Sequence, residues 1–332
     1  MLRNVSAIIP LRLDSNRPDL IDRVERLAQQ CQNMGIRVVV VQEIFGKDKP
    51  LIELGLDKRL FELVTYTSSS STFNLAKARN FALSKIKTDW LITLDADLVL
   101  PQNFGPSLKV LLASDLSNSE TFFVTVPVVY AVENVSASDL SNIRTFGEAV
   151  YGSMGFHHWA LGSSVILVRS TYIRKLGGYQ EAYCGWGYED HDMAMQLVSR
   201  DPTFITPYDA RVFDPRPMQD VTRYVGWRAK YALYGYLALN YGLFLLHLHH
   251  PKNDTFYNSQ RIKENKEKFM SRLKKMDFPI FERVTFDKDS PLYSQYHLYF
   301  EQIHLGKKMA AIRSFLLRSR FIVSAYRKIR RI

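Results

Sequence analysis

The chain has 332 residues, 46% of them apolar, a formal net charge of +11 and only two cysteines, Cys31 and Cys184. This is ample for a large core in one elaborated domain or two tightly fused halves, and two cysteines in no motif exclude a disulfide framework and point to a reducing compartment. The opening MLRNVSAIIPLRLDSNRPD turns polar after a short apolar run, which predicts no secretory signal.

In chain order, VSAIIP (5–10) is a short apolar run ended by Pro and predicts a buried strand. PDLIDRVERLAQQCQNMG then has a helical period, with Pro18 near its first turn and Gly35 at its end. IRVVVVQ (36–42) and LFELVTY (60–66) predict two more strands, NLAKARNFALSKI (74–86) a helix, and WLITLDAD (90–97) a strand ending in two acids. Strands alternating with helices imply an α/β fold with a Rossmann-like, mostly parallel central sheet and helices on both faces. In such sheets ligands bind beyond the carboxyl ends of the strands, where Pro10, Arg12, Asp95 and Asp97 fall.

The second half is more mixed. TFFVTVPVVY (121–130) and SSVILVRS (163–170) predict strands, EDHDMAMQLVSR (189–200) a helix with acids in its first turn, HHPKND a loop, and NSQRIKENKEKFMSRLKK (258–275) an amphipathic helix. YALYGYLALNYGLFLL (231–246) is 16 residues long, behind Arg228 and Lys230. A spanning helix needs roughly 20 apolar residues, so this stretch reads as buried core or as a surface-seeking segment. No internal repeat or clear linker interrupts the chain.

From Lys307 to Ile332 there are nine Lys or Arg and no acid, interleaved with FLL, FIV and Tyr326. That pattern suits an anionic membrane surface better than nucleic acid; the plain alternative is a solvated helix packed back on the domain.

Three clusters carry chemistry. In TLDADLVLP, carboxylates at i and i+2 of an extended segment, Asp95 and Asp97, point to one side at a strand end. Oxygen ligands of this kind suit Mg²⁺ or Mn²⁺, which bridges a diphosphate. LLHLHHPKND bunches His247, His249 and His250, and imidazole beside carboxylate points to Mn²⁺, with at least one of the three expected as a ligand. The separate pair His157 and His158 reads as structural or as near the substrate. In CGWGYEDHD, Gly185 and Gly187 let the chain bend around Trp186, just ahead of Glu189, Asp190 and Asp192. A helix start explains why the acids are tolerated there. It does not explain an aromatic plane among glycines, which suits the apolar face of a sugar beside a carboxylate that takes a hydroxyl proton.

Together these residues resemble a GT-A fold glycosyltransferase. VSAIIPLR resembles the nucleotide-binding opening of glycosyltransferase family 2, and LDADLVLP the Asp-x-Asp motif of that fold. GGYQEAYCGWGYEDHDM resembles the signature of the β-1,4-galactosyltransferases and bacterial chondroitin-polymerase-type enzymes, and FNLAKARNFAL their Phe-Asn-x-Ala-Lys segment. The resemblance runs from about residue 5 to 262 and implies Asp190 as catalytic base. It implies Glu189, Trp186, Gly187 and Tyr188 at the acceptor sugar, with Gly162 and Trp159 in the sugar pocket. Pro10, Arg12, Phe73, Lys77, Asp95 and Asp97 would bind the nucleotide sugar. Asp97 and His250, with His247 as a second His, would bind Mn²⁺ or Mg²⁺. Leu75 stands where the galactosyltransferases often carry Arg, so Arg79 is expected to hold the diphosphate. Tyr188 replaces a Gly of the motif, and Trp159 stands in place of a Tyr-containing segment, so the donor sugar is left open.

The resemblance further implies single displacement with inversion, moving a hexose or N-acetylhexosamine from a UDP-sugar to a glycan or lipid-linked glycan. The expected organisation is a transferase domain over 1–262, with a nucleotide-sugar half (1–130) and an acceptor half (131–262), then a helical basic extension over 263–332. The expected setting is bacterial surface polysaccharide or lipopolysaccharide synthesis on the cytoplasmic face of the plasma membrane, with the tail on anionic lipid and no nucleic acid partner. The rival reading is a non-catalytic, basic membrane- or polymer-binding protein with a vestigial domain.

Overall fold

The computed structural model describes residues 2–14, 17–54, 56–57, 59–152, 156–216, 224–250 and 257–279. The strands are β1 (Val5–Arg12), β2 (Arg37–Phe45), β3 (Glu62–Ser68), β4 (Trp90–Thr93), β5 (Leu98–Val99), β6 (Phe123–Thr125), β7 (Val128–Ala131), β8 (Phe156–Ala160), β9 (Ile166–Arg169) and β10 (Leu245–His247). The helices are α1 (Leu20–Met34), α2 (Leu75–Leu83), α3 (Phe104–Leu112), α4 (Ala137–Ser141), α5 (Phe146–Tyr151), α6 (Ser170–Lys175), α7 (Glu189–Arg200), α8 (Trp227–Asn240) and α9 (Ser259–Lys275).

The main sheet has the order β3-β2-β1-β4-β9-β6, with helices on both faces. β3, β2, β1 and β4 are parallel, while β9 runs antiparallel to both β4 and β6. The chain passes from β1 outward to β2 and β3, then returns through α2 to β4 on the other side of β1. That reversal opens a crevice beyond the carboxyl ends of β1 and β4. The apolar runs read from the sequence form these strands because both sheet faces are covered, and only the last residue of β1 escapes full burial. Helix α1 ends as its glycine predicts: Gly35 adopts φ 81° and donates its N–H to Gln32 O at 2.8 Å.

A second sheet, ordered β5-β10-β7-β8, lies over its own core of Val99, Val129, Leu140, Phe244 and Leu246. It forms where two expected strands divide. The run 121–130 breaks at Val126 and Pro127, so that β6 joins the main sheet and β7 the second one. Pro127 has no N–H for a continuous ladder, yet its carbonyl accepts from Leu245 N–H at 2.8 Å. The run 90–97 likewise stops at Thr93, and Leu98 and Val99 pair instead with β10.

The apolar stretch 231–246 belongs to the core. Its first part lies in α8, where Tyr231, Tyr234 and Leu237 are buried, and its last part is β10. Among the described residues no helix is long and apolar enough to cross a membrane. The expected loop residues 251–254 and the basic stretch 307–332 lie outside the described residues.

Helix α9 forms as its period predicts, and it crosses the expected boundary at 262 without a break. Its buried side chains are Asn265, Phe269 and Leu273. Phe269 is completely buried, with its ring centroid 5.6 Å from Tyr188, 5.5 Å from Phe213 and 6.2 Å from Trp227. Emptying such a site removes both the transfer energy and the contacts of the rings around it. Phe269→Ala is therefore expected to cost about 3–5 kcal/mol, read as a lower midpoint in urea unfolding.

Candidate active site

The crevice is walled first by the end of β1. Pro10 is buried in the sheet, and Arg12 stacks 4.4 Å over the Phe45 ring, 3.7 Å from Glu43, while donating to the Ser70 carbonyl. On the opposite side the β1–β4 pairing runs on through Leu94 N–H to Ile8 O at 2.9 Å, which delivers Asp95 and Asp97 to the mouth.

The second sheet carries the histidines to that place. His247 pairs with Leu98, and Leu248 N–H donates to the Asp97 carbonyl at 2.9 Å. One donor atom each from Asp97, His247 and His250 lies within 4.8 Å of the others, with His250 Nε2 3.3 Å from Asp97 Oδ2. His249 turns away to Glu133, at 3.5 Å. His158, at the far end, stacks on Tyr130 at 4.6 Å, and Tyr130 in turn lies 4.8 Å from His247.

The electrostatics suit a cation. Burial pushes His247 down to about 4, so its ring is neutral at physiological pH and keeps a lone pair. Burial pushes Asp97 up, but His250, His247 and Arg17 outweigh it and hold the carboxyl below its usual value. A carboxylate with two imidazoles is a donor set that fits Mn²⁺, and Mg²⁺ less well. The other oxygen of Asp97, Oδ1, accepts from Arg17 at 2.7 Å and Arg23 at 2.6 Å. Neither arginine stands out in the sequence as a site residue. The available signal was their position around the start of α1, directly after β1, where the first strand-to-helix turn faces the crevice.

Helix α2 links this mouth to the acidic motif. Asn74 caps it by accepting from Lys77 N–H at 2.9 Å, and its Nδ2 donates to Glu181 O at 2.9 Å. Asn80 grips Tyr179 by accepting its N–H at 2.7 Å and donating to its carbonyl at 2.8 Å. A Cβ at Gly178, where φ is +75°, would come within 2.6 Å of Asn80 Oδ1, so the turn needs glycine. Arg79, only 1% exposed, lies 3.4 Å from Asp95 and 3.2 Å from Glu189. The sequence places Arg79 at the diphosphate; in the structure its guanidinium pairs with buried Glu189 and with Asp95 at the mouth. Lys77 is exposed, 5.3 Å from the Tyr66 ring centroid, and Phe73 holds the acidic loop by accepting Gly185 N–H at 3.1 Å.

The loop ahead of α7 presents Trp186, 45% exposed, with Tyr257 5.4 Å away. Tyr188 adopts φ 76°, a left-handed conformation that a large side chain takes only under constraint. Gly187, at φ +96°, gives the chain the freedom to reach it. Gly162 accepts from Thr125 Oγ1 at 2.6 Å, and Trp159 packs edge-on to Phe146 at 5.4 Å in the second sheet.

The two carboxylates opening α7 differ sharply. Glu189 is 4% exposed, and burial, helped by the charge of Asp190, pushes it up to about 7 despite Arg79. Its Oε2 has no hydrogen-bond partner among the described residues. Burial also opposes the charge of Asp190, but His191, Ser163 and Arg79 overcome it and hold Asp190 below the carboxylate range. Ser163 Oγ donates to Asp190 Oδ2 at 2.7 Å, and His191 Nδ1 lies 3.0 Å from Oδ1. Ser163 was not legible as a site residue, because nothing local marks a serine that acts across 27 positions.

A family model described as "Glycosyltransferase like family 2" matches residues 6–275. No curated protein matches the sequence. Among solved structures, Staphylococcus aureus TarS 1-349 in complex with UDP-GlcNAc aligns over 80% of this chain and 65% of that one, at 11% identity and TM-score 0.44. GalNAc-T7 with UDP, GalNAc and Mn²⁺ aligns over 91% and 56%, at 13% identity and TM-score 0.44. A Drosophila β-1,4-galactosyltransferase 7 complex with manganese, UDP-Gal and xylobiose aligns over 58% and 60%, at 14% identity and TM-score 0.30. This chain spans 54% of the length of a further TarS 1-349 structure and 33% of a longer TarS chain.

Two outcomes follow from the buried charges. Arg79→Met leaves Glu189 without its counter-charge and is expected to lower stability by about 3–5 kcal/mol, measured by urea unfolding at neutral pH. Because Glu189 is raised from an ordinary 4.5, its contribution to stability is present in acid and lost as pH rises through about 7. Glu189→Gln should thus gain in melting temperature relative to the unsubstituted chain between about pH 5 and about pH 8; a difference that is flat over this range contradicts the assignment.

Proposed function

We propose an inverting, metal-dependent transfer from a UDP-sugar for this chain, which belongs to the glycosyltransferase-like family 2 over residues 6–275. The observation that carries the proposal is Arg79, whose buried guanidinium joins Asp95 of the mouth to Glu189 of the acidic loop. Donor-side and acceptor-side carboxylates are thereby held against one crevice.

In this reading Asp97, His247 and His250 hold Mn²⁺ or Mg²⁺, which supplies positive charge for the leaving diphosphate. Trp186 offers its exposed face to the apolar side of the acceptor sugar. The unpartnered Oε2 of Glu189 takes a hydrogen bond from an acceptor hydroxyl, which removes the cost of leaving it unpaired. Asp190, ionised at neutral pH and aimed by Ser163 and His191, accepts the proton of the attacking hydroxyl. That oxygen bonds to the anomeric carbon as the bond to UDP breaks, so an α-linked donor yields a β-linked product.

The acceptor in this reading is a glycan or lipid-linked glycan of a bacterial surface polysaccharide or lipopolysaccharide. The support is the charge pattern of residues 307–332, which would hold the enzyme at the anionic cytoplasmic face of the plasma membrane.

The test is the thermal midpoint with UDP, with and without Mn²⁺, followed by UDP release from a panel of UDP-sugars. Ligand at a hundredfold excess over its dissociation constant stabilises by about 2.7 kcal/mol, and this gain is expected to need Mn²⁺ and to vanish in Asp97→Ala. Asp190→Asn is expected to keep the UDP-dependent shift while losing about 10²–10⁴-fold in transfer rate. An Asp190→Asn chain as active as the original would remove Asp190 from the role of base.

A further inference from the structure

The last helix of the described chain presents one face to the acidic loop. Asn265, Lys268, Phe269 and Arg272 fall at i, i+3, i+4 and i+7 of α9, and so share a side. Lys268 Nζ donates to Ala182 O at 2.8 Å, and Arg272 pairs with Asp192 through Nε at 2.5 Å and Nη2 at 3.2 Å. Phe269 packs under the ring of Tyr188.

Asn265 is the unusual member. A carboxamide only 1% exposed on an otherwise apolar and cationic helix face is costly unless its polar atoms are used. Here the amide spans the bend that carries Trp186. Its Oδ1 accepts Cys184 N–H at 3.4 Å, and its Nδ2 donates to Cys184 O at 3.0 Å and to Gly187 O at 3.1 Å. One side chain therefore grips the backbone on both sides of the Gly185-Trp186 pair. From the opposite side, Phe73 O takes Gly185 N–H at 3.1 Å. The two glycines would otherwise let the bend sample many conformations, and the half-exposed indole would move with it.

We infer that Asn265 is a positioning residue for the acceptor sugar, fixing the plane of Trp186 by clamping Cys184 and Gly187. The inference rests on the transfer reading above, in which Trp186 meets the acceptor. It adds a specific division of labour: the polar contacts of Asn265, Lys268 and Arg272 run to residues 182–192, so this face of α9 acts on acceptor binding rather than on the nucleotide side at Asp95 and Asp97.

The test uses the full chain with Asn265→Ala, and Lys268→Met as a milder second variant that removes only the exposed tie to Ala182. Amide hydrogen exchange of residues 184–188 is expected to quicken about tenfold in Asn265→Ala, the worth of one to two hydrogen bonds, with β1 and β4 unchanged. The acceptor KM is expected to rise by a similar factor, while the donor KM and the rate at saturating acceptor stay within about twofold. The midpoint shift with UDP and Mn²⁺ is expected to persist in both variants, with Lys268→Met changing exchange and acceptor KM in the same direction but less. Unchanged exchange in 184–188, or donor and acceptor KM rising together, overturns the role of Asn265 while the UDP shift still stands. An unsubstituted chain that ignores UDP with Mn²⁺ overturns the transfer reading instead, and the acceptor role of Asn265 falls with it.

Discussion

A buried guanidinium between two carboxylates organises this molecule. Arg79 comes from α2, Asp95 from just beyond β4 and Glu189 from the first turn of α7, and Arg79 pairs with both. A charge taken so far out of water is tolerable because each neighbour compensates it, and each neighbour in turn depends on it. The same helix holds the segment ahead of the acidic loop through Asn74 and Asn80, so α2 ties the two sides of the crevice together.

The second constraint is the small sheet. Splitting the run at Val126 and Pro127 sends β7 away from the main sheet, where it becomes the neighbour of β10. β10 then pairs with β5, immediately after Asp97, and two imidazoles arrive at a carboxylate more than a hundred residues distant. The Asp97–Leu248 backbone bond fixes that arrival. The end of the crevice that holds Asp97 and the two imidazoles is therefore a junction of sheets, and the end that holds the acidic loop is a helix start braced by α9.

Adjacent carboxylates in different surroundings acquire different work. Glu189 lies inside the wall with one oxygen unpaired and is pushed towards neutrality, whereas Asp190 is hydrogen-bonded by Ser163 and His191 and stays charged. Here burial and the charge of Asp190 raise Glu189, whereas at Asp190 His191, Ser163 and Arg79 outweigh burial.

Much of this was readable from residues alone. Periodicity, glycine and capping residues determined α1, α7, α9 and the four parallel strands, because those forms depend on neighbours a few positions away. The chemical types at Asp95, Asp97, His247, His250, Trp186, Glu189 and Asp190 were legible as clusters for the same reason. The tertiary structure decided what no local pattern encodes: that Arg79 pairs with Glu189 across 110 positions, that His250 and not His249 joins Asp97, and that Arg17, Arg23, Ser163 and Asn265 touch the candidate site's residues. Each of these is a contact between segments far apart in the chain. Its identity follows from which strands pair and which helix faces are buried, and a single side chain in a sequence carries no mark of the partner that folding will bring to it.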